Sequence, residues 1–248
     1  MPPLRLTTLV ADQFRLLTFR RPSAALAEHP TAYLVFGLLT AWAAGIGRYW
    51  DHPNATFLQY AGLGSVVYVP LLAFLLWAIC RPLAPLGLPF RRVVGFVALT
   101  SLPAVLYAVP VERFLSASAA RSANAIFLAV VAAWRVALLV VFMKRSAGLS
   151  NDCLIVGTLL PLALVVCALA GLNLEHAVFQ FMARPGDRLP PTPNDLSYLV
   201  VLMLAFAAQV LCIPLVATHL WFIRPSAVRR RRAAATTGER ADEPPSPR

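Results

Sequence analysis

This sequence predicts an all-α fold: a polytopic membrane helical bundle of six transmembrane helices with an N-terminal interfacial amphipathic helix. Three observations lead there. The 248 residues are 59% hydrophobic and 13% charged, against about 45–50% and about 25% in an average globular protein. The apolar residues gather into six long runs, each near the roughly 20 residues that cross a bilayer. The basic residues, 21 Arg and the single Lys144, cluster on alternate sides of those runs. The same numbers exclude disorder over most of the chain, collagen-like repeats and a disulfide scaffold.

Residues 1–30 read as a cytoplasmic amphipathic segment. Leu6, Val10, Phe14 and Leu17 recur at helical spacing, with Arg5, Thr8, Asp12 and Arg15 elsewhere on the wheel. Such a helix lies in the membrane interface or packs on the cytoplasmic side of the bundle, and the pattern fits both. A short apolar core followed by a small-residue cleavage site is not found there, so no secretory signal is expected.

The transmembrane bundle is expected over residues 31–223, as Thr31–Gly47, Ala61–Ile79, Val93–Val111, Ala123–Phe142, Cys153–Leu172 and Leu196–Ile223. Tyr33 and the Tyr49/Trp50 pair can anchor the short first span in the two interfaces. The long last span must tilt or begin as an interfacial turn. Small residues such as Ala41/Gly45 and Gly62/Ser65 allow close helix packing. Sixteen Arg and Lys fall on one side of the alternating connections and five on the other, with one Arg inside a span. By the positive-inside rule both termini are cytoplasmic, and a five-span arrangement would scramble the count. The bias to Arg over Lys, and to Ala, resembles the usage of a GC-rich bacterial genome. The expected location is therefore the bacterial inner membrane, as a multi-pass protein.

Residues 224–248 form a basic cytoplasmic tail with nothing to bury, expected to be disordered. Its run Arg229, Arg230, Arg231 and Arg232 serves as a topology signal. It should also be drawn to anionic lipid headgroups, at about 1 kcal/mol per residue near the surface. The expected partners are the bilayer, those anionic lipids and other membrane proteins. Nucleic acid is not expected, because no basic patch carries interleaved aromatics.

The chemistry-bearing candidate is Arg135, inside the fourth span. It lies about 18 Å from the outer edge and about 13 Å from the cytoplasmic one, where a charge is costly unless paired or wetted. No Asp or Glu falls within a span core. Pro103, Pro161 and Pro214 each leave the carbonyl four residues earlier without its helical donor, namely those of Leu99, Gly157 and Val210. All three sit at about 18–23 Å depth, with Gln209, Thr158 and Thr100 in nearly the same layer. The expectation is a polar belt in which the guanidinium, with five donors and no acceptor, bonds those carbonyls and Gln209. As a structure it would clasp the bundle; as a site it would hold an anion or polar solute near the midplane.

Other features carry less. Asp51-His52 and Glu175-His176, at outer span ends, could meet around a metal, but sequence-adjacent pairs diverge on a helix, and no metal site is expected. Asn54-Ala55-Thr56 matches a glycosylation sequon on the outer side. Cys80, Cys153, Cys167 and Cys212 lack C-x-x-C spacing and read as small apolar residues. Absent a nucleophile elbow, P-loop, dinucleotide fingerprint or H-E-x-x-H, neither catalysis nor a cofactor is expected.

In layout, residues 14–172 resemble the prokaryotic Yip1-like membrane protein family. The cues are Leu16-Leu17-Thr18-Phe19-Arg20-Arg21-Pro22 leading into the first span and Phe90-Arg91-Arg92 opening a third span that holds Ser101-Leu102-Pro103. A third cue is the short Lys144–Asp152 connection between the fourth and fifth spans. The family is typically a five-span bundle, so the long outer loop, with three prolines in 187–195, and the sixth span depart from it. Eukaryotic members take part in vesicle trafficking and associate with small GTPases. The resemblance implies a non-enzymatic membrane-organising or interaction component, with a small transporter or channel subunit built on the Arg135 belt as the competing expectation.

Overall fold

The computed structural model describes residues 4–50, 57–171 and 203–224. These are mostly helical, with no strand among the described residues. Six helices are long and apolar enough to cross a membrane: Pro30–Gly47, Leu63–Leu83, Phe90–Ala108, Ser122–Ala147, Asn151–Gly171 and Met203–Arg224. The two acid–His pairs, the sequon, the proline-rich loop and Arg229 to Arg232 lie outside the described residues.

In chain order the helices are α1 (Leu6–Leu17), α2 (Ala25–Glu28), α3 (Pro30–Tyr49), α4 (Phe57–Tyr60), α5 (Leu63–Cys80), α6 (Phe90–Leu99), α7 (Ala117–Phe142) and α8 (Asn151–Gly171). The last is α9 (Met203–Arg224). Pro30 opens α3, where its missing N–H costs nothing. The Ser116 side chain accepts from the Ala119 N–H to cap α7, which runs out through a π turn to Gly148 in the left-handed region.

The third span is not the single helix that its hydropathy predicts. It is α6 followed by a 3₁₀ segment, Leu102–Ala108. Pro103 has no N–H to give, and two hydroxyls turn back onto the preceding turn. Thr100 Oγ1 donates to the Phe96 carbonyl at 2.8 Å and Ser101 Oγ to that of Val97 at 2.8 Å. Side chains thereby satisfy part of the helix end that a continuing backbone would have covered.

The core lies where α3, α5 and α6 meet, around Val69, Ala73, Val93, Val97 and Ala98, with Met143 and Val156 reaching in from the other side. Two glycines set the spacing. A Cβ on Gly37 would stand 2.9 Å from that of Ala98 and 3.0 Å from the Leu99 nitrogen, so α3 and α6 touch backbone to side chain. A Cβ on Gly45 would stand 3.0 Å from the Gly62 carbonyl oxygen and collide with Ser65, which makes these small residues the α3–α5 contact. In α9 only Ala208 is buried among the described residues, and Leu215 and Phe222 lean on the core.

α1 packs on the bundle, and its apolar line is split. Leu17 is buried, while Leu6, Val10 and Phe14 are exposed, Phe14 by 57%. The most buried residues of the helix are polar: Asp12 and Gln13, each 2% exposed. The helix closes with the Arg20 N–H on the Arg15 carbonyl at 2.7 Å and the Phe19 N–H on that of Leu16 at 3.0 Å. That pattern favours Gly at its left-handed position. Here Phe19 occupies it at φ 62°, at a cost of about 1–2 kcal/mol. Arg145 Nη1 holds the Phe19 carbonyl at 2.8 Å, fixing the turn against the end of α7.

Candidate functional site

The polar face of α1 builds a connected hydrogen-bonded cluster. Asp12 Oδ1 accepts from the Ser23 N–H at 2.9 Å and from Arg15 Nη1 at 3.1 Å. Its Oδ2 accepts from Ser23 Oγ at 2.5 Å and from the Tyr33 hydroxyl of α3 at 2.5 Å. Burial pushes this carboxyl up, but the bonds from Ser23, Tyr33 and Arg15 together outweigh it and leave the pKa below its ordinary 3.8. A buried carboxylate is tolerable when its lone pairs are filled, and here they are. Arg15 is half-exposed, so its ion pair adds little and the three uncharged donors do most of the holding.

Gln13 goes deeper. Its Nε2 donates to Thr40 Oγ1 of α3 at 3.1 Å and to the Leu99 carbonyl of α6 at 2.9 Å. Both acceptors lie about 15 Å from the starts of their helices. The Leu99 oxygen is the one that Pro103 strips of its backbone donor. Trp134 Nε1 of α7 reaches the Leu17 carbonyl at 2.9 Å, taking one of the open acceptors at the end of α1. α1 is thus tied by hydrogen bonds to α3, α6 and α7.

Beside this lock a cavity of about 800 Å³ opens at the Arg-rich end of the bundle. Its floor is apolar, with Gly95, Phe96 and Leu99 of α6 and Leu138, Val141 and Phe142 of α7. Five exposed arginines line it: Arg20, Arg21, Arg91, Arg92 and Arg145. Arg91 bonds Thr31 Oγ1 and Arg145 the Phe19 carbonyl. Among the described residues no Asp or Glu lines the cavity.

The polar belt expected around Arg135 is arranged differently. Two of the proline-freed oxygens do take side-chain donors, but other ones: Gln13 at Leu99, and Cys80 Sγ at Gly157 at 3.3 Å. Thr100 is spent on its own helix. Gln209 and Val210 are exposed on α9. The Arg135 guanidinium lies over the Tyr68 ring of α5, 5.5 Å from its centroid. The reason is access: α1 inserts Gln13 where the guanidinium was expected, and an aromatic face meets a cation without needing an acceptor. Arg135→Leu is therefore expected to leave thermal stability unchanged or raised, since about 1 kcal/mol of cation–π attraction is exchanged for removal of a costly charge. Tyr68→Leu strands that charge and should lower stability by about 1–2 kcal/mol in the same melting assay.

Thr158 is buried, and its Oγ1 has no hydrogen-bond partner among the described residues. Thr158→Val keeps the shape and removes an unsatisfied hydroxyl. Denaturation of the purified variant is expected to show a gain of up to about 1 kcal/mol; a loss would mean that the hydroxyl has a partner after all.

Among the described residues no three His, Cys, Asp or Glu gather as a metal site would require. No family model matches the chain, and no curated protein or solved structure matches it either.

Proposed function

We propose that this chain is a non-enzymatic, multi-pass component of the bacterial inner membrane, Yip1-like in layout, that organises or docks other membrane components at its cytoplasmic face. Both termini are cytoplasmic in this reading, which follows from the distribution of Arg on alternate sides of the spans. The observation that carries the docking role is the posture of α1. Its buried polar side fastens it to three helices, and Leu6, Val10 and Phe14 stay outward at the Arg-rich end. An apolar face fixed in place at a membrane surface is suited to holding a neighbour. Transport through an Arg135 site draws less support, because Arg135 rests on Tyr68 and does not line the 800 Å³ cavity.

A photo-crosslinking side chain at Phe14 tests the docking role in cells. The expected result is a discrete adduct with another membrane protein, absent when the same probe replaces Ile213 on α9. Adducts with lipid alone would refute docking. Flux of an anion into reconstituted vesicles, abolished by Arg135→Leu, would establish the transport reading in its place.

A further inference from the structure

The cavity at the Arg-rich end combines two things that no single simple ligand class satisfies. Five arginines line it, without a carboxylate in the lining among the described residues. The guanidinium groups of Arg20, Arg21 and Arg92 have no bonded partner among those residues, which leaves three like charges beside the cavity for an anion to meet. A small inorganic anion would satisfy the rim and leave the floor unfilled. A neutral lipid would cover the floor, where Phe96, Leu99 and Leu138 continue into the apolar body of α6 and α7, and leave the rim unpaired. The volume is ample for a headgroup and the first part of a chain, within the about 300–1,000 Å³ of small-molecule sites.

We propose that this cavity binds an anionic membrane phospholipid. The arginines at the mouth hold the phosphate diester, and the upper acyl chain lies along the α6–α7 floor. Planar guanidinium groups match phosphate oxygens in pairs, which suits Arg for this task better than Lys. Basic pockets between helices at the cytoplasmic membrane face hold anionic headgroups on the same principle. Leu16, Phe19 and Ser23 form one wall, so the bound lipid would also touch the segment that locks α1. The site uses the membrane placement proposed above but does not depend on a protein partner.

The test is native mass spectrometry of the full-length protein, released from nanodiscs of phosphatidylglycerol and phosphatidylcholine in equal parts. Phosphatidylglycerol is expected to be retained about tenfold over phosphatidylcholine, and Arg21→Gln/Arg92→Gln to lower that retention about tenfold. Gly95→Leu is the second variant. A Cβ on Gly95 meets nothing within 4 Å, so the new side chain enters open space on the cavity lining and leaves all five arginines in the sequence. It should empty the site while melting stays that of the wild type. Excess inorganic phosphate should leave the lipid in place. Equal retention of both lipids, wild-type retention by either variant, or displacement by phosphate would overturn the proposal, the last by identifying a free anion as the ligand. A lipid retained without any protein adduct at Phe14 would separate this site from the docking role, and the reverse would separate them the other way.

Discussion

Asp12→Ala is expected to lower the stability of the folded protein by about 3–5 kcal/mol, since it leaves three donors without an acceptor at about 1–3 kcal/mol each. The substitution strands the Ser23 N–H and hydroxyl and the Tyr33 hydroxyl, all bonded to this one carboxylate. Asp12→Asn should cost less, because one oxygen remains to accept, and Tyr33→Phe less again, because it deletes a single donor. The pH dependence follows with a definite sign. The carboxyl is held below its ordinary 3.8, so the stability tied to its charge is complete above about pH 4. It is lost as the pH falls through the folded value, when the native state must take up a proton. Melting of the wild type should therefore be flat from neutrality to mild acid and drop below pH 4. Asp12→Asn should lack that drop.

Gln13→Leu is the second large effect, and it comes with a suppressor. The wild-type amide supplies the donor that Pro103 denies to the Leu99 carbonyl. Leucine leaves that oxygen bare in an apolar surround, at about 2–3 kcal/mol. In a Pro103→Ala background position 103 has its own N–H, and the same Gln13→Leu change should cost about 1 kcal/mol or less. The coupling measured by the four-variant cycle is then about 1–2 kcal/mol, far above the few tenths seen for independent sites. Cys80 and Pro161 repeat the arrangement at Gly157, with a smaller coupling because a thiol is a weak donor. Strict additivity in the Gln13/Pro103 cycle would mean that the side chain does not serve that carbonyl.

The spans were legible because a run of about 20 apolar residues has few other uses. Local chemistry was legible too. Pro103 and Pro161 mark oxygens that need donors, and at Leu99 and Gly157 side chains provide them. What the pattern did not disclose is which side chains. Within the spans Arg135 is the conspicuous polar group, whereas the donor at Leu99 comes from 86 positions away, on a helix whose pattern fits the membrane interface and the cytoplasmic side of the bundle equally. Adjacent polar residues, Asp12-Gln13, in the middle of a largely apolar helix were the available signal. A hydropathy wheel treats them as facing water, since it has no term for polar acceptors inside a bundle. The cavity was illegible for a related reason. Arg20, Arg21, Arg91, Arg92 and Arg145 all counted toward topology, and only the fold brings the three connections together.

That α1 is fastened through its polar face can be tested on the unmodified protein by carboxyl labelling. Asp12 is 2% exposed, while Glu28 on neighbouring α2 is exposed and serves as an internal reference. Treatment with a carbodiimide and an amine at neutral pH, read by peptide mass spectrometry, should modify Glu28 and spare Asp12. Gln13→Leu should release Asp12 to labelling. Equal rates at Asp12 and Glu28 in the wild type would contradict the lock and return α1 to a helix lying free at the interface.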